Sequence, residues 1–115
     1  MKLKNLENGQ ILADKLGEAS SFYQRFKGLM FTKELEPGYG LLIKPCRSIH
    51  TFFMKYKLDI VHLDSHNQVV LIEEGLPPGK IGKGHLRTRS IVELPAGMIE
   101  TTQTKVGDFL QVVPS

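Results

Sequence analysis

The chain has no tryptophan and a single cysteine among its 115 residues. One cysteine excludes an internal disulfide, which fits a reducing compartment. No apolar run approaches the roughly 20 residues needed to cross a bilayer. The opening MKLKNLENGQ has no apolar segment long enough for a signal peptide. These absences predict a cytoplasmic protein with no membrane partner. Charge of one sign is also scarce: fifteen Lys and Arg against twelve Asp and Glu leave +3. So small an excess speaks for solubility rather than for a polyanionic partner. No repeat and no composition break divides the chain, so residues 1–115 form one domain, large enough for a core without metals or disulfides.

What is present reads as short strands punctuated by glycine and proline. Asn8-Gly9 between 2–7 and 10–15 is a hairpin signal, because both residues tolerate positive φ. Ser21 with Gln24 three residues on resembles a capping box, Phe22, Phe26 and Leu29 share a helical face, and Gly28 can end the helix. A helix is therefore predicted over about 21–28. Pro37-Gly38 marks a turn before a buried strand at 39–43. Residues 49–54 and 58–64 read as two strands joined near Lys55 to Lys57, a register in which His50 faces His62. Asp64 to Asn67 is a turn with Asn67 suited to the left-handed conformation. Val69 to Ile72 is apolar throughout, as in a strand covered on both faces. Residues 75–84 shift to glycine, proline and lysine, an exposed loop. Strands at 90–94 and 109–113 follow, with 98–105 a helical turn or an extended arm. The predicted fold is mainly β, a compact antiparallel sandwich or barrel with one short helix packed over it.

Several fragments recur in an order that belongs to a known family. They are Ala19, Arg25, Gly28, Leu29 and Met30; IHTFFM at 49–54; LDIVHLD at 58–64; VELPAG at 92–97; and Gly107-Asp108. Over residues 13 to 113 the chain resembles the bacterial and archaeal family known as domain of unknown function 192. The resemblance implies a compact, mostly β fold and carries no catalytic assignment. Members commonly place a proline where this chain has Lys57, and often a glycine where it has Asn67.

The stretch Cys46 to Asp64 concentrates the reactive side chains, with the cysteine, two histidines, Met54 and the adjacent Phe52 and Phe53. Cys46, His50 and Met54 offer a thiolate, an imidazole and a thioether, the soft set of blue copper sites. Such a site needs a second histidine, which only His62 could supply. In an extended chain residues four apart lie about 13 Å from each other, so Cys46 and His50 meet only across a bend. The same distance opposes a cysteine nucleophile activated by His50. Packing is the plainer role for free cysteine and methionine, and no cofactor is predicted.

Arg25, Asp59 and Glu93 lie beside apolar residues, where an unpaired charge would be costly. The expectation is a latch from Arg25 on the helix to Asp59 or Glu93. The loop from Gly79 to Arg89 holds Lys80, Lys83, Arg87 and Arg89 with no acid among them and could cradle an anion. It is not a P-loop: no glycine stands five positions before Gly79 or Gly82, and no Ser or Thr follows either lysine. Without interleaved aromatics, nucleic acid is not the expected partner. The leading expectation is a non-catalytic module that binds a small molecule or a protein. Its groove would run between the helix (Arg25, Met30), the 49–64 hairpin (His50, Met54, Asp59, with Glu93) and the basic loop. The alternative is a metal protein or cysteine-dependent enzyme using Cys46, His50 and nearby carboxylates, and a weaker one is nucleic-acid binding through the basic loop.

Overall fold

The computed structural model describes residues 1–20, 36–51 and 54–115. The predicted helix over 21–28, with Arg25 and Met30, lies outside the described residues, as do Phe52 and Phe53. Eight strands are described: β1 (Lys2–Asn5), β2 (Ile11–Ala13), β3 (Lys15–Ala19), β4 (Tyr39–Ile43), β5 (Leu58–Leu63), β6 (Val69–Leu76), β7 (Ser90–Pro95) and β8 (Leu110–Val113). One short helix, α1 (Met98–Thr102), stands between β7 and β8. The strands form a three-stranded sheet, β2-β1-β8, and a five-stranded sheet, β3-β4-β7-β5-β6. The two pack together without closing into a barrel, and the fold is mostly β, as the punctuated strand pattern predicts. Among the described residues no helix is long and apolar enough to cross a membrane.

The first hairpin forms where Asn8-Gly9 predicts it, but with a wider loop. Gly9 alone takes positive φ, at 74°, and Asn5 pairs through its N–H with Gln10 O at 2.8 Å. Asn8 is used differently: its Nδ2 donates to Thr102 O at 2.8 Å, docking the turn on the end of α1. After Ala13 the chain leaves the small sheet and becomes β3, an edge of the large one, where it runs parallel to β4.

Sheet-on-sheet packing buries Leu3, Leu12, Leu16, Leu42, Val61, Leu63, Val92, Leu94, Ile99 and Leu110 as one core. Each such side chain contributes roughly 1.5–3 kcal/mol on leaving water. Gly40 is held at this interface by closeness: a Cβ there would stand 2.9 Å from Ala13 Cβ and 3.0 Å from Leu94 Cδ2. A second cluster covers the other face of the five-stranded sheet, with Ala19, Leu41, Ile43, Ile49, Met54, Leu58, Ile60 and Ile91.

The predicted pairing of 49–54 with 58–64 is wrong. β5 is buried at all six positions and sits between β6 and β7. It turns into β6 through Asp64–Asn67, where Asn67 has φ 62° as expected. A strand with apolar residues on both faces belongs in the middle of a sheet, so both its edges are taken. Residues 46–51 instead lie over the outer face, where Ile49 and Met54 join the second cluster. His62 consequently pairs with Leu71 and Ile91, and His50 forms an isolated bridge with Ile81.

Candidate functional site

β5 and β7 set the geometry. Their register places Asp59 opposite Leu94 and Ile60 opposite Glu93. Since successive side chains alternate, Asp59 faces the inter-sheet core with Leu94, whereas Glu93 faces outward with Ile60. The two acids, predicted near one another, lie on opposite faces and share no cleft. Both are buried, at 1% and 0% exposure.

Asp59 is engaged by the backbone. Its Oδ1 accepts from Gly75 N at 2.8 Å, and its Oδ2 accepts from Gly97 N at 3.0 Å and Ile99 N at 2.9 Å. Gly97 is the N-cap of α1 and has no side chain to cap with. A carboxylate from a neighbouring strand supplies the acceptor instead. This fixes α1 to the large sheet. The Arg25 end of the expected latch lies outside the described residues. Of its two acids only Glu93 faces the sheet side that residues 46–51 cover.

On that outer face His62 is the diagonal neighbour of Glu93, roughly 7–8 Å away in an antiparallel pair. His62 is fully buried. Its Nδ1 shares a hydrogen bond of 3.0 Å with Thr88 Oγ1. Whichever ring nitrogen carries the proton, Nε2 has no partner among the described residues. Burial, with repulsion from His85 adding to it, lowers the His62 pKa from 6.5 to about 4. The ring is therefore neutral at pH 7. The sequence alone offers His62 only as a metal ligand opposite His50; its lone position inside an apolar strand is the signal that it is buried.

The register in which His62 would join Cys46, His50 and Met54 does not form. His62 is directed by β5 away from the expected register, and Met54 packs in the outer cluster. Cys46 is half-buried, with Sγ 3.2 Å from Ser48 O. Among the described residues no group of three or more His, Cys, Asp or Glu is arranged to hold a metal ion.

The basic loop is exposed but not loose. Residues 46–51 and the 77–89 loop run antiparallel beside one another. Cys46 N donates to Arg89 O (2.9 Å), Gly82 N to Ile49 O (2.9 Å), Thr51 N to Lys80 O (2.7 Å) and Gly79 N to Thr51 O (2.9 Å). Leu58 pairing with Leu76 fastens the far end. Thr51 is the rivet: its hydroxyl donates to Pro77 O at 2.6 Å and accepts from Lys80 N at 2.9 Å. Thr51→Val should cost about 1–2 kcal/mol and speed amide exchange at Gly79 to Gly82. Unchanged exchange there would show the loop to be held by other contacts.

This docking merges two basic stretches into one shoulder. Lys44, Arg47, Lys55 and Lys57 lie on one; Lys80, Lys83, Arg87 and Arg89 lie on the other; all eight are exposed. Neither 44–57 nor 77–89 contains an acid, while the rest of the chain has seven cations against twelve acids. The Arg89 guanidinium also braces the loop, donating to Thr88 O at 3.0 Å and Leu86 O at 3.4 Å. Two open depressions are found among the described residues, one reaching the Lys44 end of the shoulder and one away from it. One of about 280 Å³ is lined by Glu18, Ala19, Ser20 and Lys44. The other, of about 500 Å³, is lined by Glu74, Ile99, Glu100, Gln103, Thr104 and Lys105. Neither contains His50, Met54 or Glu93.

These features define a mostly β, two-sheet domain with polar groups buried on both faces of the larger sheet and a basic shoulder at its edge. The chain belongs to the family described as Uncharacterized ACR, domain of unknown function 192, whose model matches residues 4–112. A UPF0127 protein of Pyrococcus horikoshii is 40% identical over 99 residues, 81% of this chain and 83% of that protein. One from Thermococcus sibiricus is 33% identical over 113 residues, 92% of this chain and 71% of its own length. Among solved structures, a protein of unknown function from Novosphingobium aromaticivorans matches with TM-score 0.79 at 19% identity, covering 96% of this chain and 82% of that one. A candidate transcription regulator from Sinorhizobium meliloti matches with TM-score 0.77 at 22% identity, covering 96% and 89%. At such identities the structural matches speak for the fold alone.

Proposed function

We propose that this domain is a non-catalytic binding module whose basic shoulder holds an anionic small molecule or an acidic partner. The observation that supports it is the segregation of charge: eight exposed cations and no acid on two stretches that tertiary contacts bring side by side. Cations held on a braced backbone attract an anion with little ordering cost on binding. His50 stands within this shoulder through its bridge to Ile81. Met54 and Glu93 lie in the layer beneath it, where they shape the surface from below. The metal alternative would need a group of three or more His, Cys, Asp or Glu, and none is found among the described residues.

Retention on immobilised heparin, a generic polyanion, tests the shoulder. The wild-type chain should elute at clearly higher salt than a Lys80→Glu/Lys83→Glu variant, with affinity falling as salt rises. A control, Lys2→Glu/Lys15→Glu, makes the same change of net charge at exposed positions of β1 and β3, outside the two basic stretches. Equal losses from the two variants would reduce the effect to net charge and dismiss the shoulder as a site.

A further inference from the structure

We propose that the 77–89 loop docks the domain on an anionic lipid surface, with Ile81 and Leu86 entering the interface between headgroups. The inference rests on the binding reading for its cations, and on a separate observation for its apolar part. Ile81 is 75% exposed and Leu86 is 93% exposed. Both stand on the outer side of a loop whose inner positions are committed. Gly82 N and Lys83 N are bonded to Ile49 O and Glu73 Oε1, and Thr88 is buried against His62. The apolar tips are thus presented by a pinned backbone rather than by a floppy segment.

Charge complementarity selects the occupant. Lys80, Lys83 and Arg87 flank the two tips and are exposed, and the loop itself carries no acid. Of the nearest acids on β6, Glu73 is turned to the Lys83 N–H, while Glu74 is exposed. Any partner of a side chain that projects almost wholly into water must yield around it. A lipid interface accepts any convex tip, whereas a peptide ligand would need a groove to lie in. Basic residues beside short apolar insertions are the pattern by which surface-bound proteins hold anionic bilayers. The lack of a spanning segment bears on crossing a membrane and leaves surface contact open.

The experiment is co-sedimentation of the full chain with vesicles of phosphatidylcholine alone or mixed with phosphatidylglycerol. Binding is expected only to the mixed vesicles. Lys80→Glu/Lys83→Glu should abolish it. Ile81→Ser/Leu86→Ser should weaken it about tenfold while leaving heparin retention unchanged, which separates this proposal from the shoulder reading. Both serine positions are exposed, so a matching thermal melt confirms an intact fold. Because the chain has no tryptophan, Leu86→Trp adds a direct reporter whose emission should shift to the blue on mixed vesicles. Failure to sediment, sedimentation indifferent to the serine pair, or an unshifted Leu86→Trp spectrum would each overturn the proposal. So would saturable binding to an oligonucleotide or an acidic peptide without any vesicle binding.

Discussion

Replacing Asp59 by alanine should lower the stability of the domain by about 3 kcal/mol or more. Its carboxylate accepts three backbone N–H groups, from Gly75, Gly97 and Ile99. Hydrogen bonds to a charged acceptor are each worth roughly 1.5–3 kcal/mol, and a buried donor left unpaired costs a further 1–3. Water can reach Gly97, which is exposed, but not Ile99, which is buried, so the sum is less than three full bonds. Asp59→Asn should be milder, near 2 kcal/mol, because one amide oxygen can serve Gly75 or the α1 terminus but not both. A chemical-denaturation series would read these values. A loss below about 1 kcal/mol for the alanine variant would mean that α1 is held by its apolar side alone.

The second large effect is a pH dependence centred on His62. Its folded pKa is depressed to about 4, while the unfolded chain titrates near 6.5. Between these values the unfolded state binds the extra proton, so stability rises with pH across this window and falls as pH drops through it. The full loss, reached below about pH 4, is on the order of 3 kcal/mol. Asp64 acts in a different window. Burial raises its pKa, but donors from Gln68 and His66 and the charges of His66 and Arg87 outweigh that and hold it below the ordinary carboxylate value. Its contribution is complete above the ordinary carboxylate range and lost only as pH falls through the lowered folded value. The two groups are therefore separable. His62→Phe, which keeps the ring volume and removes the titration, should flatten the curve between pH 6.5 and 4 while leaving the steeper acid limb. An unchanged slope in that window would assign it to other groups.

Much of the local structure was legible because it is written in neighbouring residues. Gly9, Asn67 and the prolines marked turns through their own backbone preferences, and the strands predicted at 39–43, 58–64 and 90–94 became β4, β5 and β7. The hairpin of 49–54 with 58–64 failed for a definite reason. A strand apolar on both faces shows no alternation, so nothing local says which neighbours it takes. Once β5 took β6 and β7, His62 moved away from His50, and Asp59 and Glu93 were sent to opposite faces. The candidate site suffered the same way: the four cations of the loop were visible, but their partnership with Lys44, Arg47, Lys55 and Lys57 was not.

The linear order of residues by itself determined a mostly β domain of short strands, the places where the chain turns, and the absence of any acid around Lys80 to Arg89. Tertiary structure alone decided which strands are neighbours, that Asp59 caps a helix it is nowhere near in the chain, and that two basic stretches form a single surface. The reason is physical. Turn chemistry and burial preference act within a few residues, whereas strand register and the docking of Thr51 on Pro77 and Lys80 are settled by contacts between segments far apart in sequence.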